Sequence, residues 1–256
     1  MDEDEILLDG LMRSRYSQIL TYPGTDLVEA KARIKQLSEI GVSALRFRGV
    51  TQIGGIPVLG KGCVGVVTQA RLEGEIVALK IRRLDADRPS MNDEARLLRL
   101  ANSVDVGPRL ISATKNFLAM ELFRGIPLFR WAERSQGGRR VVRELVTRLL
   151  TCCFMLDSIG LDHGELSHAP RNVLVNRFGQ PCIVDFESAS TARRVANVTS
   201  LLQYFLFGRV SKTLHASQIF PDRRNIVKAL GEYKHDGSVE NYQGVLGALG
   251  CYERFL

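Results

Sequence analysis

The 256-residue chain predicts an α+β fold in which a β-rich segment is followed by a largely helical one. Three observations carry that prediction. Residues 59–80 place three glycines before a β-prone stretch, a Glu73-Gly74-Glu75 turn and a second β-prone stretch, which reads as strand, turn, strand. Val142, Leu145, Val146, Leu149, Leu150, Cys153 and Leu156 recur at the spacing of one buried helical face. The composition, 45% hydrophobic and 25% charged, is ordinary for a globular chain long enough for one two-lobed domain or two small ones.

Composition also bounds the partners. No apolar run approaches the length of a membrane-spanning helix, and the acidic start Met1-Asp2-Glu3-Asp4-Glu5 is unlike a signal peptide. The expectation is a soluble, cytoplasmic protein with no membrane partner. Five dispersed cysteines lack zinc spacing and are expected as reduced structural thiols, and the four histidines are equally scattered. A net charge of +7 permits an acidic partner such as RNA or a ribonucleoprotein, although basic residues also suit a solvated surface.

Residues 1–55 read as an N-terminal helical appendage. Leu7, Leu8, Leu11, Ile19 and Leu20 suggest a short helix stopped by Tyr22-Pro23-Gly24. Thr25 is placed to cap a second helix over 26–40, which Gly41 ends. The stretch 42–50 reads as extended.

Residues 56–122 read as a small β-rich lobe with one helix, over 92–102. Gly60, Gly62 and Gly65 form G-x-G-x-x-G, with Val67 two residues on. A dinucleotide fingerprint would open a helix here, and a P-loop would supply Gly-Lys-Ser/Thr; neither follows. A glycine hairpin that ends in Val77-Ala78-Leu79-Lys80 resembles the nucleotide-covering loop and third-strand lysine of protein kinases. The resemblance implies that Gly60, Gly62 and Gly65 let backbone amides approach the ATP phosphates and that Lys61, Val67 and Ala78 also belong to the ATP site. It implies that Glu94, fourteen residues after Lys80, holds the lysine on the α- and β-phosphates. Met120 would guard the pocket, while backbone groups of Glu121 and Leu122 would meet adenine.

Residues 123–256 read as a reduced helical lobe. After Gly160, the stretch from His163 to Val175 resembles the kinase loop H-R-D-L-x-x-x-N: His163, Leu166 and Asn172 match, Gly164 replaces arginine, and Glu165 takes the place of the aspartate base. Thirteen residues beyond Asn172, a hydrophobic strand ends in Asp185-Phe186-Glu187, with glutamate where the family has glycine. Asn172 and Asp185 are then the implied Mg²⁺ ligands. Glu165 and Asn172 lie seven apart where the family has five, and two extra residues span about 6–7 Å if extended. A bulge around residues 168–170 is the expected accommodation. No activation segment follows; Val195–Phe205 reads as helix, Asn197 as a brace for the loop, and only short helical patterns remain.

A minimal second lobe without an activation segment resembles the RIO kinases, the small kinase of the tRNA-threonylcarbamoylation complex and, above all, RIO-like serine/threonine kinases of archaea. The resemblance spans about 56–207 and implies a two-lobed kinase-like fold. It also implies ATP- and Mg²⁺-dependent phosphoryl transfer to a protein, with the chain itself among the candidate acceptors. In that reading Lys80, Glu165, Asn172 and Asp185 carry the chemistry. The alternatives are a nucleotide-binding module or ATPase switch of a ribonucleoprotein assembly, and a small-molecule kinase on the same fold.

Overall fold

The computed structural model describes residues 4–134, 138–168, 171–208 and 222–251. The fold is mixed α+β with antiparallel pairing in its sheets. It divides into two compact units, Met1–Arg99 with Pro108–Leu122 and Leu100–Gly107 with Phe123–Leu256.

In the first unit the chain runs through β1 (Glu5–Leu7), α1 (Leu8–Leu11), α2 (Leu27–Glu39), β2 (Val42–Arg46), β3 (Thr51–Ile53), β4 (Ile56–Val58) and β5 (Gly60–Lys61). It continues through β6 (Gly65–Leu72), β7 (Glu75–Arg82), α3 (Asn92–Asn102), β8 (Leu110–Ala113) and β9 (Phe117–Glu121). One sheet has the order β1-β2-β6-β7-β9-β8, with β5 paired to β6. The β6–β7 hairpin turns where expected, because Glu73 and Gly74 both adopt positive φ, the conformation a two-residue hairpin loop requires. Side chains alternate across the sheet. Val66, Ala70, Val77, Leu79, Ile81 and Phe117 point into one apolar core, completed by Leu11, Leu20, Leu37, Leu45 and Phe47.

That core changes the reading of residues 1–55. They were expected as a helical appendage, but β1 and β2 extend the sheet of the first unit, and β2 lies along β6. The reason is burial: the β6–β9 strands present a hydrophobic face that needs a cover, and the first 58 residues supply it. Asp26, rather than Thr25, caps α2, its Oδ1 accepting from the amides of Val28 and Glu29 at 2.9 Å. Gly41 ends the helix region at φ +83°. Arg33 of α2 is fully buried. Its guanidinium donates to Leu20 O, to Arg82 O at 2.6 Å, to Asn116 Oδ1 at 3.2 Å and to Glu29 Oε1 at 2.7 Å.

The second unit contains β10 (Gly125–Pro127), α4 (Leu128–Arg134), α5 (Gly138–Ser158), β11 (Val173–Asn176), β12 (Pro181–Ile183), α6 (Asn197–Phe207), α7 (Arg223–His235) and α8 (Val239–Ala248). Strands β10, β11 and β12 form a three-stranded sheet. The apolar stripe of α5 is buried along its length, from Val142 to Leu156. The two tail helices lean on α5 through Tyr242, which stacks on Phe154 at 4.3 Å and shares a 3.0 Å hydrogen bond with Thr151. The five cysteines are free thiols. Among the described residues, no helix is long and apolar enough to cross a membrane.

Replacing Arg33 with methionine removes the donors to three oxygens and strands Glu29. The expected loss is about 3 kcal/mol, as for other buried charge networks broken on one side, read from urea denaturation at pH 7. A loss below about 1 kcal/mol would mean that the network contributes little.

Candidate functional site

The register of the first sheet collects the sequence-predicted residues on the face opposite the apolar core. Val67, Lys80 and Leu118 are cross-strand partners, and so are Gln69, Ala78 and Met120 one pleat further along. Gly60 pairs with Val67 across β5 and β6. The hairpin closes tightly, with the Gly62 amide donating to Gly65 O at 2.8 Å. Gly65 is obligatory for a packing reason: a Cβ there would come within 2.8 Å of Lys80 Cγ and 3.0 Å of Lys80 Cε. The glycine hairpin therefore lies directly on the lysine stem.

Lys80 Nζ donates to both carboxylate oxygens of Glu94 at 2.9 Å, and the two side chains are 4% and 5% exposed. Burying two charges is costly, and only close, bidentate geometry offsets it. The acid comes from the first turn of α3, where the helix dipole also favours a carboxylate. Further along the sheet, the Glu121 amide donates to Arg109 O at 2.9 Å, so a ligand would have to use other backbone groups of residues 121 and 122.

The second unit holds the other predicted residues. The β11–β12 ladder continues one step past its strands, with the Val184 amide donating to Asn172 O at 2.9 Å, so Asn172 and Asp185 sit at the same end of that hairpin. Asp185 adopts the left-handed conformation, φ 69° and ψ 72°, and turns the chain into a short 3₁₀ turn, Phe186–Ser188. Non-glycine residues rarely adopt it, though aspartate does so more readily than most. Such an outlier is often held at a functional position. Asn172 Nδ2 donates to Glu165 Oε2 at 3.0 Å, and Ser188 Oγ donates to Glu165 Oε1 at 2.6 Å. These donors, Ser188 first, hold the Glu165 carboxyl below its ordinary pKa against a smaller opposing effect of burial. The seven-residue spacing thus brings carboxylate and amide into contact; Ala169 and Pro170, where the bulge was expected, lie outside the described residues.

Oxygen donors of this kind fit a hard divalent cation. With Nδ2 given to Glu165, Asn172 offers Oδ1, and Asp185 offers a carboxylate.

Four residues that sequence reasoning passed over complete this part of the second unit. Arg193 bonds Asp162 Oδ2 at 3.0 Å and Ser188 O at 2.6 Å, and it fills the space beside Gly164, where a Cβ would meet its Nη2 at 2.4 Å. Asp157 accepts from Asn197 N and Nδ2 at 3.0 and 2.8 Å and from the Tyr233 hydroxyl at 2.9 Å. Asn197 in turn accepts from the His163 amide at 2.8 Å and donates to Leu161 O at 2.7 Å, so it bridges the loop. Burial pushes the Asp157 carboxyl up, opposed by those donors, and burial with the Asp157 charge pushes the Tyr233 phenol up. No local signal marked Ser188, Asp157, Arg193 or Tyr233, because the side-chain contacts with Glu165, Asp162, Asn197 and Asp157 that give them a role span 23 to 76 residues.

His163 is buried with its ring edge toward Phe186 at 5.0 Å, and its Nε2 lies 3.1 Å from Val184 O. A carbonyl can only accept, so Nε2 carries the proton. Nδ1 has no partner among the described residues. Burial holds this imidazole below its ordinary pKa, ahead of the raising effect of the Val184 bond.

The chain matches no protein-family model, and no curated protein matches it significantly.

Two outcomes test this geometry. Lys80→Met alone leaves Glu94 buried without its cation and should cost about 3 kcal/mol, whereas Lys80→Met with Glu94→Leu should recover most of that loss; additive losses in thermal melts would contradict it. The depressed His163 pKa means that the unfolded chain binds the proton better. Its stabilising contribution is complete above the ordinary value of 6.5 and declines as pH falls through and below it. Asp157, raised by burial, works in the opposite sense, so the comparison is with His163→Gln. Wild type should lose more stability than that variant between about pH 7.5 and about pH 5.5 in urea titrations; equal slopes would show that His163 titrates normally.

Proposed function

We propose that the protein is an ATP- and Mg²⁺-dependent phosphotransferase, a RIO-like serine/threonine protein kinase with a kinase-like two-lobed fold. The observation that carries the reading is the buried Lys80–Glu94 pair beneath the glycine hairpin. A lysine fixed by a carboxylate on the same sheet face as a glycine turn is what phosphate recognition requires. The cation supplies charge, and backbone amides unobstructed by side chains supply donors, the Gly62 amide excepted because it already donates to Gly65 O.

In this reading Gly60, Lys61, Gly62 and Gly65 contact the phosphates, while Val67, Ala78 and Met120 form the apolar face for the base. Lys80, held by Glu94, neutralises charge on the α- and β-phosphates. Asn172 and Asp185 are the residues that would hold Mg²⁺, which supplies charge neutralisation on the transferring group when bound. Glu165 orients the acceptor hydroxyl and takes its proton, within the hydrogen-bond reach that such a base needs. The Asp157–Asn197–His163 chain of hydrogen bonds supports this reading, since a base displaced by about 1 Å can lose on the order of 10²-fold in rate.

A second reading, a nucleotide-binding module or ATPase switch with weak transfer, draws on one observation: both oxygens of Glu165 already accept hydrogen bonds. Incubation with γ-labelled ATP and Mg²⁺ separates the two. The kinase reading expects phosphoprotein product that falls by about 10²–10³-fold in Lys80→Ala, Asp185→Ala and Glu165→Gln. ADP release without phosphoprotein, unaffected by Glu165→Gln, favours the switch. Failure to bind ATP at all removes both.

A further inference from the structure

We propose that Ser188 is the phosphoryl acceptor within its own chain, with Glu165 taking its proton; this rests on the kinase reading above. Ser188 Oγ donates to Glu165 Oε1 at 2.6 Å, the close distance of a hydroxyl on a charged carboxylate. That is the contact a general base makes with the hydroxyl it activates.

Three other contacts hold the pair in this orientation. Asn172 occupies Oε2, which turns Oε1 toward the serine. Arg193 donates to Ser188 O at 2.6 Å and is itself anchored on Asp162. The left-handed turn at Asp185 sets the 3₁₀ turn that ends at Ser188. Ser188 is partly exposed as a residue. Ser190, two residues on, instead accepts from the Ala192 amide at 3.1 Å, as in a local turn.

The step balances. Ser188 Oγ attacks the γ-phosphorus of ATP, and an Oγ–P bond forms as the bond from that phosphorus to the β,γ-bridging oxygen breaks. ADP leaves with the electron pair, and the hydroxyl proton passes to Glu165 Oε1 and then to water. The ester that remains can no longer donate to Glu165. Its charge of about −2 is repelled by that carboxylate, while the Arg193 guanidinium is already bonded to the carbonyl of the same serine. The serine thereby leaves the base, and Glu165 becomes available to another acceptor.

The test uses the full chain, treated first with a phosphatase and then with Mg²⁺ and γ-labelled ATP, beside Ser188→Ala, Ser188→Thr and Glu165→Gln. Phosphosite mapping should place the label on Ser188, at a rate per molecule unchanged by tenfold dilution. The label should be lost in Ser188→Ala, retained in Ser188→Thr and reduced about 10²-fold in Glu165→Gln. Label on another residue, full labelling of Ser188→Ala, or a rate that falls on dilution would each overturn the proposal while leaving the kinase reading in place. ATP turned over to ADP with no label on the chain would overturn it too. A chain that binds no ATP would bring down the kinase reading along with it.

Discussion

A buried ion pair is an unusual thing to place beneath a flexible-looking glycine turn. Lys80 and Glu94 lose nearly all their water, and their attraction offsets that loss only because both carboxylate oxygens receive the same ammonium. The pair constrains what surrounds it. Residue 65 has to be glycine, because the lysine stem occupies the space of its Cβ. The register of β6, β7 and β9 has to put Val67, Ala78 and Met120 on the same face, since a one-residue slip would send Lys80 into the apolar core.

The second unit solves a different problem, the positioning of polar groups on a loop. Here the solution is a relay of hydrogen bonds whose members come from distant parts of the chain. Tyr233 of α7 and Asn197 of α6 converge on Asp157 of α5, and Asn197 reaches the backbone of His163. Helix α7 thereby takes part in fixing the loop. Arg193 adds a second support by tying Asp162 to Ser188.

Much of the scaffold was legible from local pattern. The β6–β7 hairpin, α3 and α5 follow from turn chemistry and periodicity, which act over a few residues. The Lys80–Glu94 contact was legible through the kinase resemblance, and the geometry supplies its burial. What escaped was whatever depends on distant partners. Residues 42–46 look merely extended until β6 is there to pair with them, so the first 55 residues read as an appendage rather than as sheet and cover. Arg33 looks like a surface residue of an amphipathic helix and is instead a buried hub for Leu20, Arg82 and Asn116. Ser188 sits in a bland Ser-Ala-Ser stretch whose meaning depends on Glu165, 23 positions earlier.

The loop between His163 and Asn172 is clamped from outside at both ends, by Asn197 at the His163 amide and by Val184 at the Asn172 carbonyl. Neither clamp counts the residues in between. For a flexible connection a doubling in length costs only about 0.6 kcal/mol in closure entropy, but short or stiff loops depart from that rule. An extra residue is therefore unwelcome beside Gly164, which Arg193 fills, or beside Glu165, which Asn172 and Ser188 hold. The room for a different spacing lies between those pinned positions and the Asn172 clamp.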